Sequence, residues 1–205
     1  MKTIQVTDIN KFYKNIFWYK KPWYNNTKFE TSIDDNELKY AIEALNIKKR
    51  NKRIEFTYDA ICKLLDDYYK DENICHFCNN KCQVQTGNSL KYTNGCCRLC
   101  KHQSSKGCTT ANITCKLFYC DVVKKQRKIM TYSDIKLFRI FSLRQRIMCL
   151  YNFFASREQF LFDLKSGSIL VYGYRLLYRI VVNLLWVTFK LPKLHKQMKK
   201  QYNYE

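Results

Sequence analysis

Nine of the eleven cysteines in this 205-residue chain fall within residues 75–120. Thiols gathered so densely are either bridged to one another or bound to a soft metal ion, and the two outcomes belong to different redox compartments. The opening residues, Met1-Lys2-Thr3-Ile4-Gln5-Val6-Thr7-Asp8, lack the uninterrupted apolar stretch of a secretory signal. An odd cysteine count also leaves a disulfide framework incomplete. The expectation is a reducing compartment, cytoplasmic or nuclear, in which these sulfurs act as metal-binding thiolates.

The spacing sharpens this. Cys75 and Cys78 form one C-x2-C pair, Cys97 and Cys100 another, and eighteen residues lie between the pairs. Two residues between thiolates form a tight knuckle with both sulfurs facing one ion, and two knuckles complete a tetrahedron around zinc. Gly95, just before the second pair, suits a turn with unusual backbone angles. Over residues 75–100 the chain resembles zinc-ribbon and treble-clef modules. That resemblance implies a small metal-stapled unit of the kind that docks on nucleic acid or protein. Cys82, Cys108, Cys115 and Cys120 can build a second site, with Cys96 or His102 as substitutes. The cofactor expected is Zn2+, one or two ions. The alternative is a [4Fe-4S] cluster, because Cys75, Cys78 and Cys82 also give a C-x2-C-x3-C start.

Charge constrains the chemistry further. Residues 75–120 contain no Asp or Glu, but six cations: Lys81, Lys91, Arg98, Lys101, Lys106 and Lys116. Tetrathiolate zinc is itself anionic, about −2 per site, so much of this charge serves the metal by favouring thiolates. Hydrolytic zinc chemistry needs a nearby proton-transfer group, and the segment supplies no carboxylate. H-E-x-x-H, P-loop, G-x-S-x-G and G-x-G-x-x-G patterns are also missing. Catalysis is not expected, and a structural metal is.

The whole chain carries 37 Lys and Arg against 17 Asp and Glu, a formal net charge of +20. Codon bias explains abundant lysine better than it explains scarce acids. A field of this strength favours polyanions, nucleic acid first and an anionic membrane surface second. The residues expected to meet phosphates are Lys48, Lys49, Arg50, Lys52 and Arg53, then Lys124, Lys125, Arg127 and Lys128, and Arg139, Arg144 and Arg146. Trp18, Trp23 and Tyr92 are of a type that stacks on bases, although aromatic residues more often serve the core.

Outside the cluster the periodicity is helical. Ile9, Phe12, Tyr13, Ile16 and Phe17 mark an amphipathic helix behind Thr7 as N-cap. Ser32 and Asp35 resemble a capping box ahead of Leu38, Ala41, Ile42 and Leu45. The basic run at 48–53 is expected to end that helix. Thr57 would cap the next, with Ile61, Leu64, Leu65 and Tyr68 inward and Cys62 a small core residue. From 124 to 165, Ser133 is an expected N-cap, and Leu137, Phe141, Met148 and Tyr151 recur as apolar positions. Ser156 with Gln159 reads as a fresh start and Gly167 as a stop.

The apolar stretch 169–191 is long enough to span a bilayer. Arg175, Arg179 and Asn183, however, form a polar stripe, and each mid-membrane arginine costs about 2.5–3.5 kcal/mol. A buried core helix is the expectation, ahead of a helix lying on a membrane, with a transmembrane span disfavoured. The fold class expected is mainly α, with helical segments around a small cysteine-rich metal-stapled module of short strands or irregular loops. Its parts are an N-terminal helical region (1–72), the metal module (73–122), a C-terminal helical region (123–191) and a basic tail (192–205). The function expected is a zinc-binding, strongly basic protein that grips nucleic acid through phosphates. The alternatives are an iron–sulfur or redox enzyme component, and a membrane-surface or protein-interaction factor.

Overall fold

The computed structural model describes residues 2–72, 77–78, 81–82, 103–104, 107–108, 112–119, 124–125, 128–190, 192–193 and 196. The architecture is mainly α-helical. Strand β1 (Lys2–Gln5) leads into helix α1 (Ile9–Tyr19), and β2 (Thr27–Glu30) returns parallel to β1, with Lys2 beside Thr27 and Gln5 beside Glu30. Helices α2 (Asn36–Asn46) and α3 (Arg50–Glu72) follow. Two small antiparallel hairpins come next, β3 (Phe77–Cys78) with β4 (Lys81–Cys82) and β5 (Gln103–Ser104) with β6 (Gly107–Cys108). A single helical turn, α4 (Ile113–Lys116), and two 3-10 turns (Tyr132–Asp134 and Lys136–Ile140) lead to α5 (Leu143–Tyr151), α6 (Arg157–Ser166) and α7 (Ile169–Phe189).

One core joins the two helical regions. Leu38, Ala41 and Leu45 of α2 and Tyr58, Ile61 and Leu65 of α3 pack with Ile113 of α4, with Leu137, Phe138 and Phe141, and with Met148 and Phe160. The 3.6-residue apolar spacing on α2 and α3 causes this, since it places those side chains on one face of each helix. Cys62 is buried in the same core, and burial pushes its thiol up to about 12. Cys149 is likewise buried, its thiol raised by burial and by Cys62. A protonated core thiol is a poor metal ligand.

Several helix starts lie elsewhere than the sequence suggests. Asp8, not Thr7, caps α1 by accepting from the Lys11 N–H at 3.0 Å. Asp35 alone caps α2, accepting from Leu38 at 2.6 Å. Helix α3 begins at Arg50, so Thr57 is interior, and its hydroxyl donates to the Arg53 carbonyl at 2.7 Å. A mid-helix threonine satisfies its hydroxyl in this way without ending the helix. Ser142 with Gln145 caps α5, whereas Ser133 lies inside a 3-10 turn boxed by Thr131 and Asp134. Ser156 with Gln159 does start α6, and Gly167, at φ 63°, ends it in the left-handed conformation.

The pair β1–β2 has no counterpart in the periodic reading. Two four-residue strands leave little pattern, although Thr27 and Phe29 are buried while Lys28 is exposed. The Asn46 side chain completes the sheet edge: its carbonyl accepts from the Phe29 N–H, and its amide donates to the Phe29 carbonyl, both at 2.9 Å. Between α5 and α6, Phe154 sits at φ 63°, a conformation costing an L-residue about 1–2 kcal/mol. Buried Asn112 holds that turn by donating to the carbonyls of Asn152 (2.8 Å) and Ala155 (2.9 Å).

Candidate functional site

The start of α3 is electrostatically unusual. Helix N-termini carry positive partial charge and attract acids, yet α3 has no acid in its first turn and opens on Arg50, Asn51, Lys52 and Arg53. The N-terminus of α5, capped by Ser142, also lacks an acid in its first turn. Both ends border one open recess of about 360 Å³, lined by Arg50, Arg53, Ser142, Gln145 and Arg146 together with Phe17, Lys20 and Lys21 from the end of α1. Five cations converge there, and none of its lining residues is acidic.

The cations are held rather than loosely draped. Lys20 Nζ donates to the carbonyls of Arg139 (3.2 Å) and Ile140 (3.0 Å). Arg146 Nε donates to the Phe141 carbonyl at 3.2 Å, and Arg50 Nη1 to the Lys165 carbonyl at 2.9 Å. Burial, then the charges of Arg146, Arg53 and Lys21, pull Lys20 down to about 8. Burial and neighbouring Arg50 lower Arg53 as well. Backbone carbonyls hold three of these cations but no carboxylate in the lining neutralises them, so an anion entering the recess relieves repulsion as well as gaining hydrogen bonds. At its rim stands Phe17, 53% exposed, with Lys21 Nζ 4.6 Å from its ring centre and Trp18 packed edge-on at 5.4 Å.

Of the residues expected to meet phosphates, Arg50, Arg53 and Arg146 come together here. Arg139 contributes its carbonyl to Lys20 and keeps its side chain exposed. Lys48 is turned away, its Nζ donating to the Thr27 carbonyl at 2.5 Å. Lys49, Lys52, Lys124, Lys125 and Lys128 are exposed outside the recess lining, and Arg144 is exposed near the start of α7. Arg127 lies outside the described residues. Lys20 and Lys21 are not among the expected residues; the aromatic run Phe17-Trp18-Tyr19 directly before two lysines is their local signal.

Cys75, Cys96, Cys97, Cys100, Cys120, His102 and the stacking candidate Tyr92 lie outside the described residues. The backbones of Cys78, Cys82 and Cys108 lie on hairpin arms, with Phe77 paired to Cys82, Cys78 to Lys81, and Gln103 to Cys108. Cys115 is a half-buried thiol on α4, its N–H donating to the capping Asn112 side chain at 3.0 Å. Among the described residues no three His, Cys, Asp or Glu side chains gather into a ligand set.

A second feature is α7. It is long and apolar enough to cross a membrane by length and composition, and 17% of its most apolar stretch is buried. Arg179 and Asn183 are its buried positions together with Tyr172. Asp163 of α6, fully buried, accepts from Arg175 Nε (2.7 Å), Arg179 Nη1 (2.9 Å) and Asn152 Nδ2 (3.0 Å), and Arg179 Nη2 donates to Asn152 Oδ1 at 2.6 Å. The polar stripe thus faces the body, and the apolar side faces out. Tyr172 and Leu176 reach the apolar core, but the expected core helix is not what forms, because the body meets the rest of the inward face with a buried carboxylate.

Comparison of the chain with protein-family models, with curated proteins and with solved structures gives no match.

Proposed function

We propose that this chain is a zinc-stapled basic protein of the cytoplasm or nucleus that binds nucleic acid chiefly through phosphates. The recess between α1, α3 and α5 is its main phosphate site. The observation that carries the reading is the meeting of five cations and two helix N-termini in one recess lined by no carboxylate. Backbone N–H groups at helix starts and guanidinium forks are the two usual protein partners of phosphate. Phe17 at the rim suits a base stacked beside the phosphate it follows. Lys49, Lys52 and Arg139 are exposed and extend the positive field along the chain of phosphates.

Salt titration of nucleic-acid binding tests this. Affinity should fall steeply with salt, because each phosphate contact releases counterions. The double variant Lys20→Ala with Arg53→Ala should weaken binding uniformly across sequences. A filter-binding titration that retains no nucleic acid at low salt removes the proposal.

The metal part of the reading is supported by the C-x2-C spacings and by the separation of Cys62 and Cys149 into the core. Cys75, Cys78, Cys97 and Cys100 would hold the first ion, whose binding free energy would contribute to the folding of that segment. Elemental analysis after anaerobic purification should give one or two zinc per chain. A brown protein with iron and sulfide replaces zinc with the cluster. Chelation should cost little helical circular dichroism, since the helical core closes on apolar contacts of its own.

A further inference from the structure

We propose that the outward face of α7 binds an anionic lipid surface, with the helix lying in the plane of the membrane rather than across it. The inference stands apart from the nucleic-acid reading, because none of the α7 residues lines the cationic recess.

The outward face is broad and apolar. Leu170 is 84% exposed and Tyr174 75%, and Leu177, Tyr178, Leu184 and Phe189 are all more than half exposed. Their spacing keeps them on one side over the 21 residues of the helix, a length of about 31 Å along the surface. Contiguous apolar surface of this kind marks an interaction site.

The polar face decides the orientation. Arg175 and Arg179 meet buried Asp163 near the middle of α7, so the helix cannot roll its apolar side inward without unpairing that carboxylate. The same bonds oppose crossing. A bilayer that received all of α7 would also have to receive Asp163 and Asn152 of the attached body. A helix with its apolar side out and its polar side fastened to a folded body has the amphipathic pattern of one that beds into the headgroup boundary.

Charge chooses the occupant. Exposed Arg144 flanks the recess at the N-terminal end of α7, which Ile169 and Leu170 also line, and exposed Lys190, Lys193 and Lys196 lie just beyond its C-terminal end. Cations at both ends of an apolar face match lipid phosphates on either side of buried side chains. A second copy of the chain would bring another +20 against the first, and this repulsion opposes pairing through the same face. Tyr174 and Tyr178 carry a ring and a hydroxyl suited to the same boundary.

Vesicle flotation of the full chain tests the proposal. The protein should float with vesicles of phosphatidylcholine holding about 30% phosphatidylserine, and about tenfold less with phosphatidylcholine alone. Leu177→Asp with Leu184→Asp should abolish flotation, leaving helical circular dichroism and nucleic-acid retention unchanged. Arg53→Ala should float as the parent does, which separates this face from the recess. Undiminished flotation of the Leu177→Asp, Leu184→Asp variant overturns the proposal. So does a dimer in analytical ultracentrifugation that the same pair of substitutions dissolves. Resistance of the vesicle-bound protein to alkaline carbonate extraction would replace the in-plane helix with a spanning one.

Discussion

Helix α2 turns Leu38, Ala41, Ile42 and Leu45 into the core and leaves Lys39 and Glu43 to solvent, whereas α7 turns Arg179 and Asn183 inward and leaves Leu170, Leu177 and Leu184 outside. Both helices are amphipathic, and they face opposite ways. The difference lies in what each meets. Helix α2 meets α3 and the 3-10 turn at Lys136–Ile140, surfaces lined by Ile61, Leu65, Leu137 and Phe138. Helix α7 meets α6, whose Asp163 is fully buried and needs cationic or amide partners. A buried carboxylate without partners is far costlier than apolar side chains left in water. The body therefore selects the polar face of α7, and the apolar face becomes a surface.

The largest expected effect comes from breaking that selection. Asp163→Ala leaves Arg179 buried without its carboxylate and should cost about 3–5 kcal/mol in urea unfolding. Replacing Asp163, Asn152 and Arg179 together by Leu, Leu and Met should recover most of that loss, because an apolar isostere removes the unpaired groups as well. If the triple variant is no more stable than Asp163→Ala, the network serves more than pairing. Next in size, Leu45→Ala on α2 should cost about 2–5 kcal/mol. Leu177→Ala on α7 should lie within about 0.5 kcal/mol of the parent. Equal losses at the two positions would erase the contrast between the helices.

Smaller effects concern the recess. Arg53→Ala should reduce the slope of log affinity against log salt by about one, without changing sequence preference. The pH dependence is smaller still and has a definite sign. Between about 8 and the ordinary lysine value of 10.5, folded Lys20 binds fewer protons than in the unfolded chain. Its contribution to stability therefore rises with pH across that window. Nucleic-acid affinity should move the other way, falling as pH rises through about 8 and Lys20 loses its charge. Lys20→Arg should flatten that fall, measured by the same titration at a series of pH values.

Much of the helical body was legible in the chain. Four of the five inward positions of α2 (all but Ala44), the Ser156–Gln159 start of α6 and the Gly167 stop follow from local pattern. So does Cys62 as a core residue. The start of α3 was not legible, because arginines and lysines oppose the helix dipole at an N-terminus and so read as a boundary. Arg50 sits there nonetheless, donating to the Lys165 carbonyl at the end of α6 more than a hundred residues away. Three of the five cations of the recess were legible: Arg50 and Arg53 in the basic run, and Arg146 farther along the chain. Lys20 and Lys21 join them only through packing.

The order of residues alone determined whatever depends on near neighbours: which faces of the helices are apolar, where several of them are capped, and that closely spaced thiols favour a soft ion. It also determined the net charge of +20. Tertiary structure alone decided which cations share a recess and which side of α7 looks outward. Those outcomes depend on groups far apart in the chain, the carboxylate of Asp163 above all, whose burial obliges α7 to bring its arginines inward.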